Sequence, residues 1–549
     1  MLGLFAFSLL CCLNVVYGAN SSPTATVKNG TLIGRYLPQW NQDLFLGIPY
    51  AQPPVGDLRF RWPKSLNASF SVPQQAIQYG YSCYQYNTAF NLSEDCLTLN
   101  VVRPAGYTNQ TLPVLIWIYG GGLYTGSTAD QQYNLSGIVR TAEASGSPLI
   151  AVSMNYRLGV WGFLQTPQIL AEGSSNAGLL DQRMALQWVQ DNIAAFGGDP
   201  KRVTVWGESA GAQSIGLHLH SFGGRDDNLF QSAILESGGP IGTALKPLAF
   251  YTSPTENLTR TVGCYTANDQ LACLRSLSSE QLFHSNYSVT WNPLVDGNFL
   301  TAYPSTLMAN GTFIHVPLLI GANTDEGVSF SVHGLNNETA IFNSLLSWRN
   351  YAISPPSART LLDLYPNQYP FPPYHDVSNE TFSSLGLQWR RDAAIGGDLV
   401  IIAQRRKTAE EFTKAGLPVY SYRFDTQPWN ATATTGVQHF VNVVFSFQNI
   451  SGALGPLPEF QSYKDLSLQI GEAYARFVST GNPNGGDFAG LRGVLGGSAN
   501  LTALPAWERY DLNEPVNLVL NANGSFIEAD TWRKEGIAFI NTISRELDS

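Results

Sequence analysis

At 549 residues, with 44% apolar and 12% aromatic content, the chain can bury a large core and has the composition of a globular protein. Only 13% of its residues are charged and its net charge is −10, which argues against nucleic acid or an anionic membrane surface as partner. So sparsely charged a chain must cover its surface with uncharged polar groups or with sugar.

The chain opens with a short apolar run, Leu2 to Tyr17, followed by the small residues Gly18-Ala19. This predicts a signal peptide over residues 1–18 and an extracellular protein; the run is too short for a membrane anchor, and no later stretch is long and apolar enough to span a bilayer. Asn-x-Ser/Thr glycosylation acceptors recur throughout, at Asn20, Asn29, Asn67, Asn91, Asn109, Asn134, Asn257, Asn286, Asn310, Asn337, Asn379, Asn430, Asn449, Asn500 and Asn523. Beyond the leader four cysteines remain, Cys83, Cys96, Cys264 and Cys273. Three pairings are open, and proximity favours Cys83–Cys96 and Cys264–Cys273. Neither pair has zinc-site spacing, and no metal or other cofactor is expected.

In chain order, Thr31 to Tyr36, Leu97 to Val102, Val114 to Tyr119 and Leu149 to Met154 read as strands. Ala185 to Ile193 fits a helix with one apolar face, ended by Gly197-Gly198-Asp199-Pro200. Strands follow over Val203 to Trp206, Phe230 to Gly238 and Val316 to Asn323. Runs apolar throughout, alternating with helices, predict an α/β fold with a mostly parallel sheet covered on both faces and its ligand site at the strands' carboxyl ends. From about Asp325 to Asn430 the pattern becomes helical and loop-rich without clear strands. This reads as an insertion over the sheet edge, so residues 19–549 form one enlarged domain.

Gly207-Glu208-Ser209-Ala210-Gly211 lies between an apolar β-branched run and a helix-compatible segment, as a G-x-S-x-G nucleophile elbow requires. Ser209 must occupy a sharp, strained turn that lifts its hydroxyl clear of the sheet, and flanking glycines leave room where strand and helix pack. The turn aims the Ala210 N–H at a developing oxyanion. Gly120-Gly121-Gly122, after the buried strand ending at Tyr119, reads as a second oxyanion element.

A serine nucleophile needs a base and an acid. His218 and His220 follow Ser209 on its own helix, roughly 14–16 Å away at 1.5 Å rise per residue. His315 sits at the wrong end of a strand, and His284, His333 and His375 lie in loops without a motif. His439 comes late in the chain, where the order serine, acid, histidine requires it. Asp325 and Glu326 both follow a strand between the two, and chemistry alone does not choose between them.

The motifs taken together resemble the type-B carboxylesterase/lipase family, which includes cholinesterases and fungal lipases. They are Gly47-Ile-Pro-Tyr-Ala-Gln-Pro-Pro-Val-Gly-Asp-Leu-Arg-Phe, Glu94-Asp-Cys-Leu-Thr-Leu-Asn, Tyr119-Gly-Gly-Gly, Asn155-Tyr-Arg, Gly178-Leu-Leu-Asp-Gln-Arg and Gly207-Glu-Ser-Ala-Gly. The resemblance implies an α/β-hydrolase fold with a helical insertion over the active site, and a small-molecule ester as substrate. It further implies Ser209 as nucleophile, Glu326 as acid, His439 as base, and Gly121, Gly122 and Ala210 as the oxyanion hole. Its disulfides match Cys83–Cys96 and Cys264–Cys273, and two of its salt bridges map to Arg59 with Glu94 and Arg157 with Asp181. Asn442 departs from the pattern, standing where many relatives carry an acidic residue three positions after the histidine. The family also holds adhesion proteins that have lost the triad; here all three residues are present.

Base catalysis by His439 predicts a rate rising with pH through roughly 6–7. The Cys83–Cys96 segment is short and polar, a poor lid, and lacks the tryptophan with which cholinesterases bind a quaternary ammonium. The expected substrates are therefore short- to medium-chain or aryl esters, with triacylglycerol lipase as the alternative.

Overall fold

The structure is a computed structural model that describes residues 22–548 apart from 87–88, 108–109, 243, 286–290, 368–381, 430, 433, 450–459 and 487. The expected signal peptide, His375, and the acceptors Asn20, Asn109, Asn286, Asn379 and Asn430 lie outside the described residues.

Eleven strands form the main sheet: β1 Arg35–Leu37, β2 Gln42–Pro49, β3 Thr98–Pro104, β4 Leu112–Ile118, β5 Ile150–Met154, β6 Gly198–Glu208, β7 Ser232–Glu236, β8 Leu318–Asn323, β9 Val419–Phe424, β10 Val516–Leu520 and β11 Phe526–Ala529. Their spatial order is β11-β10-β9-β8-β7-β6-β4-β5-β3-β2-β1. From β5 across to β10 every pairing is parallel, and the outer pairings at both edges are antiparallel. Every residue of β4, β5, β7 and β8 is buried, which explains why these strands are mostly apolar runs instead of alternating, with polar Ser153, Ser232, Glu236 and Asn323 as the exceptions.

Helix α1 (Ala177–Asn192) buries Leu179, Leu186 and Val189 along one side. Two buried, bidentate ion pairs fasten the approach to the sheet. Arg157 Nε and Nη2 reach Asp181 of α1 at 2.7 and 2.6 Å. Arg59 Nε and Nη2 reach Glu94 at 2.8 and 2.7 Å, while its Nη1 donates to the Leu274 and Leu277 carbonyls. Both disulfides form as expected, Cys83–Cys96 and Cys264–Cys273. Among the described residues no helix is long and apolar enough to cross a membrane.

The segment expected to be free of strands contains one, β9, whose neighbours are β8 and β10. The helical segment is thus a crossover between two adjacent strands within the sheet, and not an excursion at its edge. It carries a second hydrophobic core, with Ile341, Leu345, Trp348, Leu361, Ile395 and Leu399 packed against Ile537 and Ile540 near the carboxyl terminus. In β9 Ser421 and Arg423 alternate with aromatic residues, so it lacks the continuous apolar run that marks its neighbours in the sheet. Both are buried nonetheless: Ser421 donates to Asn517 at 2.7 Å and accepts from Arg405 at 3.0 Å, and Arg423 makes a bidentate pair with Glu528.

Candidate active site

Ser209 stands between β6 and α2 (Ala210–Gly224) with φ 55° and ψ −125°, backbone strain of the kind a nucleophile elbow imposes. A Cβ on Gly211 would come within 2.0 Å of the Ile118 carbonyl, so α2 starts this close to β4 only because position 211 has none. The Ser209 N–H donates to the Glu236 carbonyl at 2.9 Å, fastening the turn to the end of β7.

The structure brings Ser209, His439 and Glu326 into one chain of hydrogen bonds. His439 Nε2 lies 2.8 Å from Ser209 Oγ, and Nδ1 lies 2.5 Å from Glu326 Oε2. Glu326 is fully buried, and its Oε1 accepts the Asn323 N–H at 2.6 Å. Asp325, the other carboxylate left open by the sequence, turns away from the imidazole: its Oδ2 accepts the Val437 N–H at 2.8 Å, and its N–H donates to the Val437 carbonyl at 3.0 Å. Asp325 therefore holds the loop that carries His439. Further along that loop Phe447 stacks on Trp206 of β6, ring centroids 4.4 Å apart.

The other described histidines play no part in this chain. His218 and His220 are buried in α2, bonded to Gln182 Oε1 and the Gly216 carbonyl, and burial pushes them down to about 3 and about 4. Exposed His284 faces Glu280.

The glycine-rich turn after β4 adopts left-handed backbone at Gly121 (φ 91°) and Gly122 (φ 65°), closed by Tyr124 and Thr125 N–H bonds to the Gly121 carbonyl at 3.0 and 3.1 Å. It lies directly against Ser209, since a Cβ on Gly120 would sit 2.9 Å from Ser209 Cβ. Tyr119, standing before the glycines, stacks on Tyr156 at 4.6 Å and accepts on its carbonyl from the Tyr156 hydroxyl at 2.8 Å.

Two further carboxylates escaped the sequence reading. Glu208, inside the elbow motif itself, is buried with Oε1 3.3 Å from His439 Nε2 and no hydrogen-bond partner on that oxygen among the described residues. Burial pushes it up to about 8. For His439 burial opposes the charged form, but the Glu208 and Glu326 carboxylates outweigh it and raise the imidazole to about 9, above the 6–7 expected from sequence. Glu236, at the end of β7, accepts from Tyr474 at 2.5 Å, Ser446 at 2.8 Å and Asn442 Nδ2 at 3.1 Å; burial, partly offset by these bonds, raises it to about 7. Asn442 Oδ1 in turn accepts from Asn323 Nδ2 at 3.1 Å. Both acids lie at carboxyl ends of parallel strands, the one signal that could have marked them. Among the described residues no cluster of His, Cys, Asp and Glu could hold a metal ion.

Of the described glycosylation acceptors, Asn67, Asn91, Asn134, Asn257, Asn310, Asn337, Asn500 and Asn523 are exposed, and Asn29 and Asn449 are half-buried.

Comparison with known proteins agrees with this geometry. Residues 21–536 match the model of the carboxylesterase family. The chain is 35% identical to lipase 4 of Diutina rugosa, covering 95% of this chain and 96% of that one, and 33% identical to secreted lipase 1 of Botryotinia fuckeliana, covering 95% and 92%. Its fold superposes on the crystal structure of Aspergillus niger EstA with a TM-score of 0.83 at 28% identity, over 97% of this chain and all of that one. The strand order, the elbow and the family match together identify an α/β-hydrolase: the chain belongs to the carboxylesterase family and is a carboxylic ester hydrolase.

Proposed function

We propose that the protein is a secreted serine esterase acting on monomeric short- to medium-chain or aryl esters through an acyl-Ser209 intermediate. The observation that carries the chemistry is the unbroken chain from Ser209 Oγ through His439 to Glu326. In this reading His439 Nε2 takes the Ser209 proton as Oγ attacks the ester carbonyl, and the Gly121, Gly122 and Ala210 N–H groups receive the oxyanion. The imidazolium then protonates the leaving alcohol. In the second half His439 takes a proton from water, hydroxide equivalent adds to the acyl carbon, and Ser209 leaves with the proton returned. Glu326 keeps Nδ1 protonated and steadies the imidazolium. An intact triad also disfavours a purely binding role. Ser209→Ala should lower turnover by about 10³-fold or more with the fold intact.

Secretion is supported by the leader-like apolar run Leu2 to Tyr17, by two disulfides that need an oxidising compartment, and by a secreted lipase among the relatives. Residues 19–549 are read as one domain, and the exposed acceptors are read as glycosylated.

Lipase is the second reading, favoured by the names of the relatives. Against it stands the loop from Cys83 to Cys96, closed over a separation of 13 and packed by the stacking of Tyr84 on Trp161 at 5.3 Å. Rate should be followed against the concentration of a short triglyceride across its solubility limit. Smooth saturation is expected, and a sharp rise at the limit would make the protein a lipase.

A further inference from the structure

Cys83 and Cys96 close a loop beside the oxyanion turn. Gln85, two residues inside it, is 1% exposed, and its amide is fully engaged. Oε1 accepts from Thr125 Oγ1 at 2.6 Å and from the Gly126 N–H at 2.9 Å, while Nε2 donates to the Gly126 carbonyl at 2.8 Å and the Cys83 carbonyl at 3.1 Å. Three of these four bonds go to Thr125 and Gly126. Thr125 is also the residue whose N–H closes the turn onto the Gly121 carbonyl at 3.1 Å. Gly126, at φ 134°, folds back so that a Cβ there would meet the Tyr119 ring at 2.3 Å and the Gly120 carbonyl at 3.2 Å. Gln85 thus grips the far end of the turn that presents the Gly121 and Gly122 N–H groups beside Ser209.

The segment carrying Gln85 is itself fixed. Cys83 is tied to Cys96 just before β3. Ser82 Oγ and Ser127 Oγ share a hydrogen bond of 2.6 Å. Asn155 donates to the Tyr81 carbonyl at 3.0 Å and accepts from the Thr128 N–H at 2.9 Å, so one amide bridges both segments. Residues 81–85 and 125–128 are therefore laced together over their length, with Gln85 the contact nearest the glycines.

We infer that Gln85 is a positioning residue for the oxyanion hole, and that residues 81–85, tied down at Cys83, are a buttress for the Gly121–Gly122 turn. The physical reason is preorganisation. Backbone donors stabilise an oxyanion only if they already point at its position before charge develops, and left-handed glycines hold such an orientation only when both ends of their turn are pinned. Strand β4 pins one end and Gln85 the other. The inference rests on the reading of Ser209 and the two glycines given above.

The test is Gln85→Ala, with Thr125→Val as a milder change that removes one of the bonds. Each variant is measured for kcat and KM on a soluble ester, for Ser209 sites titratable by a fluorophosphonate, and for inhibition by a trifluoromethyl ketone and by the product acid. The ketone adds Ser209 Oγ to its carbonyl carbon, passing the serine proton to His439, and so carries an oxyanion in the hole; the product acid carries none. Losing a whole oxyanion donor costs about 10²–10³ in kcat, so misplacing the turn should cost Gln85→Ala about 10–100-fold with KM within about threefold. The ketone Ki should rise by the same factor and the acid Ki should not. Thr125→Val should move kcat and the ketone Ki the same way by less.

Labelled wild type with unchanged kcat in both variants would overturn the buttress. So would a loss of kcat matched by the loss of titratable sites, or one that leaves the ketone Ki unmoved. If Gln85→Ala does not fold, the Thr125→Val pair of measurements decides alone. Active wild type that takes no label at Ser209 would instead overturn the nucleophile assignment beneath it.

Discussion

Replacing Glu208 by Gln tests the electrostatics of the site most directly. The carboxylate is buried, with Oε1 3.3 Å from His439 Nε2 and no hydrogen-bond partner on that oxygen among the described residues. A full unit charge at that distance, in an effective dielectric of about 20, is worth about 5 kcal/mol to the imidazolium, or about 4 pK units. That is a ceiling, because Glu208 is itself pushed up to about 8 and shares a proton with the pair over the neutral range. The amide keeps the shape and removes the charge, so the His439 pKa should fall from about 9 toward its ordinary value by about 1–2 units. Base catalysis needs neutral imidazole, so activity rises with pH through the His439 pKa. The rising limb of kcat/KM should therefore move to lower pH in Glu208→Gln. Its plateau should drop, since the imidazolium formed in the transition state loses a counter-charge. The assay is kcat/KM from pH 5 to 10 on a neutral ester whose leaving group does not titrate there, over the range in which the variant stays folded. A limb that stays within about 0.3 unit of the wild-type position would refute the argument.

The acid at the other ring nitrogen gives a contrast between neighbours: Glu326→Gln should lower kcat by about 10³-fold or more, since the amide cannot both accept from Nδ1 and balance the imidazolium. Asp325→Asn should cost no more than about threefold, because its amide oxygen can still accept the Val437 N–H, and Asp325→Ala should cost more by freeing the His439 loop; kcat of the three variants decides. Stability should fall as pH rises from about 5 to 8.5. Burial holds Glu208 at about 8, Glu236 at about 7 and Asp392 at about 7, so the native state keeps protons that the unfolded chain has released. Their contribution is full below an unfolded pKa near 4 and is lost through pH 7–8, and His439 acts in the same direction between about 6.5 and 9. Thermal unfolding at pH 5.5 and 8.5 checks the sign, and Glu236→Gln should flatten the slope.

What the sequence revealed was local. Ser209 and its glycines form a motif because strand, turn and helix are consecutive and their packing constraint falls on neighbouring residues. The central strands were legible because burial on both faces forces apolar runs. By contrast β9 was missed because its polar residues are satisfied by partners about a hundred positions away, Asn517 and Glu528, which no window of sequence contains. His439 had no motif for the same reason. Its place is set by Val437 on Asp325 and by Phe447 on Trp206, both long-range contacts. Between Asp325 and Glu326 residue type carries no information; what separates them is the turn Glu326–Ser329, which packs so tightly on the crossover helix Trp389–Gly397 that a Cβ on Gly327 would overlap the Ala393 carbonyl.

Asn442 shows how a departure read from sequence acquires a meaning in space. Its amide faces two groups of opposite demand: Nδ2 donates to the Glu236 carboxylate and Oδ1 accepts from Asn323 Nδ2, the same residue whose backbone N–H holds Glu326. An acid at 442 would set a second carboxylate 3.1 Å from Glu236, and two such charges cannot both ionise in a buried site. The acid behind the triad is already supplied by Glu236, which is held by Tyr474 and Ser446 on one oxygen and by Asn442 on the other. A neutral residue that both donates and accepts is what the position requires. The asparagine thus belongs to the same arrangement as the glutamate at the end of β7.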